Sequence, residues 1–349
     1  MDMKRDYYED IQLFKTKTVF AGTLVLLAFL GALPLLVGDY ALYLINLIAI
    51  HSIVAVGLNI LVGYTGQISL GHAGFFAIGA YSCVLLMVKA GFPFLLALPV
   101  AGFISALFGF VVGLPSLRLE GPYLAIATLG FGMATTQIIS HAGFTGGHMG
   151  LAAPPISIGT LVIQTGKGQY AVIMSIAVIM TIAAVNLLKT RVGRAFVAIR
   201  DSEIAAEAMG INLSWYKTLA FAVSAFYTGI AGALMAFALQ HVSAGSFNLI
   251  LSITFLAMII VGGLGSVMGS ILGAALLTYL QLKLQIIQEA PVIGPFLTEI
   301  SVRYFTREGL PNIQSIVVGA IMIAIIIFEP RGINGIYLRM KRYWTMWPF

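Results

Sequence analysis

The residues best suited to make specific charged contacts lie in one polar segment, 189–217, with the sequence KTRVGRAFVAIRDSEIAAEAMGINLSWYK. It holds eight of the chain's 32 Asp, Glu, Lys and Arg residues. Asp201 is predicted to N-cap a short helix that has Glu203 in its first turn, 204–209 as its body and Gly210 as its stop. Its charges could not be placed in lipid, so the helix would be open to a partner. The segment predicts a docking element, with a solvated helical linker as the alternative.

A second set of polar residues lies inside the apolar runs. These residues can form hydrogen bonds but are mostly uncharged, which suits a small solute with polar ends better than an ion. The nearest carboxylates, Glu120 and Glu329, lie at the ends of apolar runs, which argues against a proton-driven carrier. We interpret His72 as a capping or packing residue rather than a proton relay. The set is His51, Asn59, Gln67, Ser69, His72, Gln137 and Asn186.

Motifs for catalysis and for nucleotide binding are missing. The sequence has no G-x-x-x-x-G-K-[ST] and no H-E-x-x-H, and its five histidines lack metal-ligand spacing. The only cysteine, Cys83, lies in an apolar stretch, so no disulfide framework is expected. An intramembrane enzyme would need a nucleophile, a dyad or a metal set. We therefore expect no catalytic residues, no metal and no cofactor bound by this chain; any energy source must come from elsewhere.

Composition sets the elements that must hold these residues. The chain is 60% apolar and only 9% charged, whereas soluble domains carry roughly 25% charged residues. The apolar runs are continuous rather than alternating, which indicates an all-α polytopic membrane protein and not a β-barrel. Residues 18–38 are enough to cross a hydrocarbon core of roughly 30 Å and are read as a retained span. About ten crossings are predicted, from runs at 18–38, 40–88, 93–114, 123–139, 170–188, 218–239, 249–282 and 313–328.

Two of these runs are too long for one helix and are interrupted by glycine. The first breaks within GYTGQISLGHAGF at 63–75 and the second within GGLGSVMGSILG at 262–273. Residues 60–66 align with 259–265 at an offset of 199, and Gly74 then falls on Gly273. Such matched interruptions predict a weak internal repeat and a translocation pathway, with chance similarity as the alternative. The candidate pathway or helix-break residues are Gly63, Gly66, Gln67, Ser69, His72, Gly262 and Gly265.

Small-residue spacing within the apolar runs predicts close helix packing. Gly265, Gly269 and Gly273 recur at every fourth residue, and Gly109 with Gly113 forms a single such pair. Glycines at this spacing let two helix backbones approach each other closely. Packing is therefore the expected role for most of these glycines.

The placement of positive charge predicts the topology. With both termini inside, fourteen of the nineteen lysines and arginines lie on the cytoplasmic side, where short loops accumulate them. Segment 189–217 is then cytoplasmic, and the loops around 141–169 and 283–312 face outward. The predicted organisation is a cytoplasmic tail (1–17), one transmembrane domain (18–328) and a basic cytoplasmic tail (329–349). The net charge of +6 reflects this bias and requires no nucleic acid.

Four motifs, in order along the chain, resemble one family. They are GLNILVGYTGQISLGHAGF at 57–75, LRLEGPYLAIATLG at 117–130, segment 194–212, and KRYWTMWPF at 341–349. Over essentially its whole length the chain resembles the LivM-type permease subunits of bacterial branched-chain amino-acid ABC importers. The first and third motifs are shared with sister permeases for urea and short amides, whereas the closing Trp-Pro-Phe favours the branched-chain group.

The resemblance implies a type II ABC importer fold in the bacterial inner membrane. It implies a heterodimer with a homologous LivH-type permease, two cytoplasmic ABC ATPase subunits that use ATP and Mg²⁺, and a periplasmic amino-acid-binding protein. Segment 189–217 would contain the coupling helix that fits a cleft on an ATPase subunit. The contact set carried over by position is Arg200, Asp201, Glu203, Ala206, Glu207 and Gly210.

Two other functions stay open at this point. A sister ABC permease for urea or short amides would differ only in cargo. An ATP-independent secondary carrier or channel would be expected to show ion-coupling carboxylates or a repeated pore ring, which this sequence lacks. The polar segment before the first apolar run is short, which leaves open the extra N-terminal helix of longer family members.

Overall fold

The computed structural model describes residues 17–117, 119, 121–158, 161–163, 166–289, 311–329 and 332–345. Nearly all of the predicted N-terminal tail, most of the outward loop at 283–312 and the closing Trp-Pro-Phe lie outside these residues. Arg118 and Glu120 of the second motif also lie outside them.

The described residues form α-helices joined by short turns, with four short strands. The strands pair as two small antiparallel ladders, in which Leu151 lies opposite Val242 and Ser157 opposite Val162. The strands are β1 (Leu151–Ala152), β2 (Ile156–Ile158), β3 (Leu161–Ile163) and β4 (His241–Val242). The helices are α1 (Lys17–Leu36), α2 (Asp39–Thr65), α3 (His72–Val88), α4 (Phe94–Gly113), α5 (Pro122–His141), α6 (Gly166–Lys189), α7 (Arg191–Asp201), α8 (Glu203–Ala208), α9 (Leu213–Leu239), α10 (Leu249–Gly262), α11 (Val267–Glu289), α12 (Pro311–Phe328) and α13 (Gly332–Thr345).

Seven helices within the described ranges are long and apolar enough to cross a membrane. They are α2, α4, α5, α6, α9, α10 and α11, counting the 3-10 turns that adjoin α4 and α10. Helix α3 and residues 24–36 of α1 are shorter apolar helices. The chain is therefore a multi-pass, all-α membrane protein, as predicted. The finer prediction of about ten crossings is not confirmed by this number.

Helix α2 lies at the centre of the bundle. It contacts α6, α9, α10 and α11, and most of its side chains are buried from Leu42 to Thr65. Its sequence is largely apolar, and the polar residues within it, Asn46, His51 and Asn59, are buried too, as expected where polar groups are kept away from lipid. The charge-free run that begins at residue 40 therefore supplies the core against which the other helices pack.

Glycines allow α4 and α3 to approach α9 closely. A Cβ placed on Gly109 would overlap Ala225, and one on Gly113 would lie 3.0 Å from the Cα of Thr218. Similarly, a Cβ on Gly79 of α3 would overlap the backbone of Gly229. The predicted packing role of the Gly109 and Gly113 pair is confirmed.

The predicted stripe of Gly265, Gly269 and Gly273 is only partly helical. Gly269 and Gly273 lie on α11, and a Cβ on either would overlap the backbone of α10. Gly265 instead lies in the turn before α11, with φ at +76°. Because a left-handed residue cannot continue a right-handed helix, the stripe prediction is wrong for Gly265.

Candidate functional site

Residues 189–217, which we call the docking loop, fold into two helices rather than one. Thr190 caps α7, with its Oγ1 accepting a hydrogen bond from the Val192 backbone N–H at 3.2 Å. The buried face of α7 includes Ala195, Phe196 and Ile199. Sequence reasoning missed this helix, although Val192, Ala195, Phe196 and Ile199 follow the i, i+3, i+4, i+7 spacing of an amphipathic helix.

Helix α8 has a different N-cap from the one predicted. Ser202 is extended, and its Oγ accepts a hydrogen bond from the Ala205 N–H at 3.3 Å. Asp201 instead ends α7, so the prediction that it caps α8 is wrong. The adjoining α7 keeps Asp201 in a helical conformation, whereas an N-cap residue must leave the helical region.

The predicted stop of α8 is present. Gly210 has φ at +83°, which favours glycine. Its N–H bonds the Glu207 carbonyl at 2.9 Å, and the N–H of Ile211 bonds the Ala206 carbonyl at 3.0 Å. These two bonds form a Schellman motif, which satisfies the last carbonyls of the helix.

The six predicted contact residues do not share one surface. Asp201, Glu207 and Gly210 are exposed, but Ala206 is 3% exposed and packs inward. Two large apolar side chains in and directly after α8, Ile204 and Met209, are also 84% and 83% exposed. Sequence reasoning did not select these two residues, although apolar side chains on an otherwise polar helix are a signal for a contact surface.

Glu203 is held inside the docking loop. Its Oε2 accepts a hydrogen bond from the Lys217 Nζ at 2.6 Å. The Lys217 side chain is only 6% exposed, whereas that of Glu203 is 39% exposed. A nearly buried ammonium requires such a partner, so this ion pair ties α8 to the start of α9.

A groove of about 610 Å³ opens between α7, α8 and the start of α9. Arg191 and Arg194 contribute positive charge and Asp201 negative charge to its walls, while alanines and larger apolar residues form the rest. Its lining residues are Arg191, Arg194, Ala195, Ala198, Asp201, Ser202, Ala205, Ala206, Met209, Ile211 and Tyr216.

Arg200 connects the docking loop to α2. Its Nη1 donates to the Gly63 carbonyl at 3.0 Å, whereas its Nε and Nη2 donate to Asp201 Oδ1 at 3.1 and 2.9 Å. The sequence placed Arg200 among the partner contacts and Gly63 among the helix breaks. The structure brings these two predicted sets together at this hydrogen bond.

The first break covers residues 66–71 and is partly covered by the bundle, since Gln67 and Ser69 are buried whereas Gly66 and Ile68 are exposed. Helix α2 ends at Thr65 with Gly66 as its C-cap, at a φ of +75°, and α3 begins at His72. The Leu70 N–H bonds Thr128 Oγ1 at 3.0 Å. The buried Gln67 donates to Thr65 Oγ1 at 3.0 Å, while its Oε1 accepts no hydrogen bond from any residue that the structure describes. Non-helical backbone at membrane depth is tolerated where protein covers it in this way.

His72 marks the depth of the first break. It is fully buried, with Nδ1 3.0 Å from Ser69 Oγ and Nε2 2.8 Å from Ser224 Oγ. Ser224 lies eleven residues into α9, or about 16 Å along it at 1.5 Å per residue. Because the predicted apolar run of α9 begins at residue 218, helix α3 begins about 9 Å inside that run rather than at its end. A ring held between two hydroxyls fits the packing interpretation of His72.

The second break, residues 263–266, lies against the end of α2. Gly263 and Gly265 both have positive φ. Asn59 of α2 donates from Nδ2 to the Ser266 carbonyl at 2.9 Å and to Ser270 Oγ at 2.6 Å. A Cβ on Gly63 would overlap the Gly265 nitrogen. The second break is therefore in contact with the last two turns of α2, about 200 residues earlier in the sequence.

The internal repeat is not confirmed. Gly66 and Gly265, which match at the offset of 199, have nearly equal φ values of +75° and +76°. The other matched pair differs in its neighbours: Gly74 packs on Gly132 of α5, whereas Gly273 packs on Met258 and Gly262 of α10.

A cavity of about 180 Å³ lies beside the first break. The first turns of α3 and α10 form one side of it, and α5 forms the other. Its volume is below the roughly 300–1,000 Å³ of pockets for drug-sized ligands, so it suits a small solute. Its lining residues are Leu70, Ala73, Leu129, Gly132, Met133, Thr136, Gln137, Phe247, Asn248, Leu249 and Ser252.

A multi-pass helical bundle with interrupted helices and a charged loop between two spans is typical of membrane transport proteins. Residues 40–326 match the family model for the permease component of the branched-chain amino acid transport system. The chain belongs to this family.

Individual relatives agree with the family match. The chain is 34% identical to the high-affinity branched-chain amino acid transport system permease protein LivM of Salmonella typhimurium and to that of Escherichia coli. These matches cover 73% and 75% of this chain but only 66% and 67% of the two relatives. The chain is also 26% identical to a probable LivH permease of Methanocaldococcus jannaschii, over 83% of this chain and 90% of that one.

Proposed function

We propose that this chain is a permease subunit of an ATP-driven importer for branched-chain amino acids. The observation that carries the proposal is its 34% identity to two LivM permeases, within a family match over residues 40–326. In this role the chain forms part of the translocation pathway and has no catalytic activity of its own. ATP and Mg²⁺ are used by separate subunits.

The proposed topology has ten crossings, both termini in the cytoplasm and the chain in the bacterial inner membrane. Helices α1, α3 and α12 occupy predicted apolar runs and would add three crossings to the seven described above. The docking loop then faces the cytoplasm, where lysine and arginine accumulate. In this organisation, residues 18–328 are one permease domain between tails at 1–17 and 329–349.

Two ATPase subunits are proposed as the cytoplasmic partners, one of them on the docking loop of this chain. The support is the exposed surface in and around α8, which includes the apolar Ile204 and Met209 and the charged Asp201 and Glu207. Apolar side chains surrounded by charge are typical of a protein contact. Within the predicted contact set, we assign the direct contact to Asp201, Glu207 and Gly210, and assign Glu203 and Ala206 to supporting the loop.

A homologous LivH-type permease is proposed as the partner within the membrane. The support is similarity of this chain to both LivM and LivH proteins. Helix α5 also exposes Gln137 beside Met133 and Ile138, at the open side of the small cavity. An amide is costly against lipid, so a protein or a water-filled path suits this face better.

The proposed pathway runs beside the first break and through the small cavity. A periplasmic binding protein would release leucine, isoleucine or valine on the outward side. Closure of the ATPase pair would move the docking loop and switch the bundle to an inward-open state. Transport requires only that substrate affinity differ between the two states, so a tight site is not needed.

Uptake into proteoliposomes tests the proposal. They contain this chain with its sister permease, ATPases and binding protein, and ATP trapped inside is compared with an imposed ion gradient alone. We expect leucine uptake that requires ATP and the binding protein and is competed by isoleucine and valine but not by urea. ATP-dependent uptake of urea would change the cargo, and gradient-driven uptake without ATP would replace the importer by a secondary carrier.

A further inference from the structure

We propose that Arg200 is a positioning residue that makes the docking loop and the two helix breaks move as one unit. The inference rests on the proposed function, because its consequence is the coupling of ATP hydrolysis to transport. It assigns Arg200 a role inside the permease, in place of the direct ATPase contact that the sequence predicted.

The guanidinium of Arg200 bonds in two directions at once. Its Nη1 reaches the Gly63 carbonyl, 137 residues earlier in the chain, and its Nε and Nη2 reach Asp201. Five donors in a rigid plane allow this arrangement, which a lysine ammonium on a flexible chain cannot reproduce. One side chain therefore fixes the end of α7 relative to the end of α2.

The Gly63 carbonyl is a suitable acceptor for a cation. It lies in the last turn of α2, where carbonyls have no partner within the helix. The negative end of the helix dipole is also located there, and it favours a positive charge. Arg200 thus satisfies a helix end that would otherwise require water or another donor.

One glycine of each break lies against this arginine. A Cβ on Gly265 would lie 3.1 Å from Arg200 Nη1, and one on Gly66 would lie 3.5 Å from Arg200 Cγ. Asn59 joins the same junction through the N–H of Gly265. A displacement of α7 therefore acts on the end of α2 and on the turn between α10 and α11 together.

Asp201 makes this unit responsive to a partner. Its side chain is 63% exposed, and it receives two of the three hydrogen bonds of Arg200 described here. An ATPase subunit that engages Asp201 therefore acts directly on the group that holds Arg200. Arg200 therefore makes direct hydrogen bonds on both sides, to Asp201 and to Gly63, and does not merely lie between two sites.

The test compares Arg200→Met, Arg200→Lys and a matched control, Arg339→Met, in the assembled complex. Arg339 also pairs with a carboxylate, Glu329, but on α13. We expect Arg200→Met to co-purify with the ATPase subunits and to hydrolyse ATP within about twofold of wild type. Substrate transported per ATP should fall at least about tenfold. For Arg200→Lys, the substrate transported per ATP should lie between the values for Arg200→Met and wild type. For Arg339→Met, it should equal the wild-type value.

Three results would overturn the inference. These are an unchanged transport-to-ATP ratio in Arg200→Met, a loss of ATPase co-purification in that variant, and full recovery in Arg200→Lys. Loss of ATPase co-purification would show that Arg200 contacts the ATPase directly. Full recovery in Arg200→Lys would show that only its positive charge is needed. Failure of the proposed function is distinguishable, because wild type would then show no ATP-dependent uptake.

Amide hydrogen exchange on the purified full chain tests the link without any transport assay. Arg200→Met should speed exchange at least about fivefold in both 66–71 and 263–266, with little change in the core of α9. Arg339→Met should leave the first break unchanged. Unaltered exchange at the second break would disprove the link, even if the first break responded.

Discussion

The side-chain amide of Asn59 holds the backbone of Gly265. The N–H of Gly265 donates to Asn59 Oδ1 at 3.0 Å, while Asn59 Nδ2 donates to the carbonyl of the next residue, Ser266, at 2.9 Å. One buried side chain thus satisfies both a donor and an acceptor of the second break. In a membrane, where water cannot replace such bonds, this pairing allows the turn to lie against α2.

Replacing Asn59 should therefore destabilise the second break. We expect Asn59→Leu to lower the free energy of unfolding by about 2–4 kcal/mol, because several polar groups would lose buried partners. A control, Asn212→Ala, removes a single cap bond to Trp215 and should cost about 1 kcal/mol. Denaturation in detergent micelles would compare the two variants, and equal losses would contradict this role of Asn59.

The left-handed glycines of the two breaks should not tolerate a β-branched residue. Gly66→Val and Gly265→Val should each reduce uptake at least about tenfold, because valine strongly disfavours positive φ. Gly245 has open space around it, so Gly245→Val is the matched control and should keep normal uptake. Normal uptake in both break variants, with normal expression, would show that the breaks are incidental to transport.

The exposed apolar residues of α8 should contribute to ATPase binding. We expect Met209→Glu to weaken co-purification of the ATPase subunits at least about tenfold, because a carboxylate replaces an apolar contact. Met149 is similarly exposed, at 86%, on the loop proposed to face outward. Met149→Glu should leave ATPase binding unchanged, and equal binding by both variants would place the docking surface elsewhere.

Reversing the charges of the docking loop should uncouple the transporter. The double variant Arg200→Glu with Glu207→Lys changes the link to Gly63 and an exposed carboxylate of α8 together. We expect ATP hydrolysis to continue while uptake falls at least about tenfold, with normal membrane insertion. Wild-type uptake per ATP in this variant would contradict a coupling role for the loop.

Substitutions of Lys217 and Glu203 should have non-additive effects on the free energy of unfolding, because the two side chains form an ion pair. Glu203→Gln should lower the free energy of unfolding by about 1–3 kcal/mol, less than the roughly 3–5 kcal/mol of a fully buried pair, because Glu203 is partly exposed. In a Lys217→Met background the same change should cost about 0–1 kcal/mol. A double-mutant cycle measures this difference, and additive losses would show that the pair does not hold α8.

Several features follow from short stretches of sequence. The membrane class follows from continuous apolar runs, because each run is long enough to form a helix and too apolar to remain in water. The ends of α2 and α8 follow from Gly66 and Gly210, because left-handed backbone is a local property of glycine. Helix α7 was also readable locally, since its apolar spacing lies within about two helical turns of the docking loop.

The partners of the polar residues could not be read from the chain. Arg200 reaches Gly63 across 137 residues, and Asn59 reaches Gly265 across 206. Sequence reasoning selected Arg200 and Gly63 for separate roles and placed Asn59 among the polar residues suited to a small solute. A hydrogen bond depends on a donor and an acceptor coming within about 3 Å, and that separation is set by how α2, α7 and α10 pack. The sequence alone therefore determined the class, most helices and the glycine turns, whereas tertiary packing decided which polar groups meet.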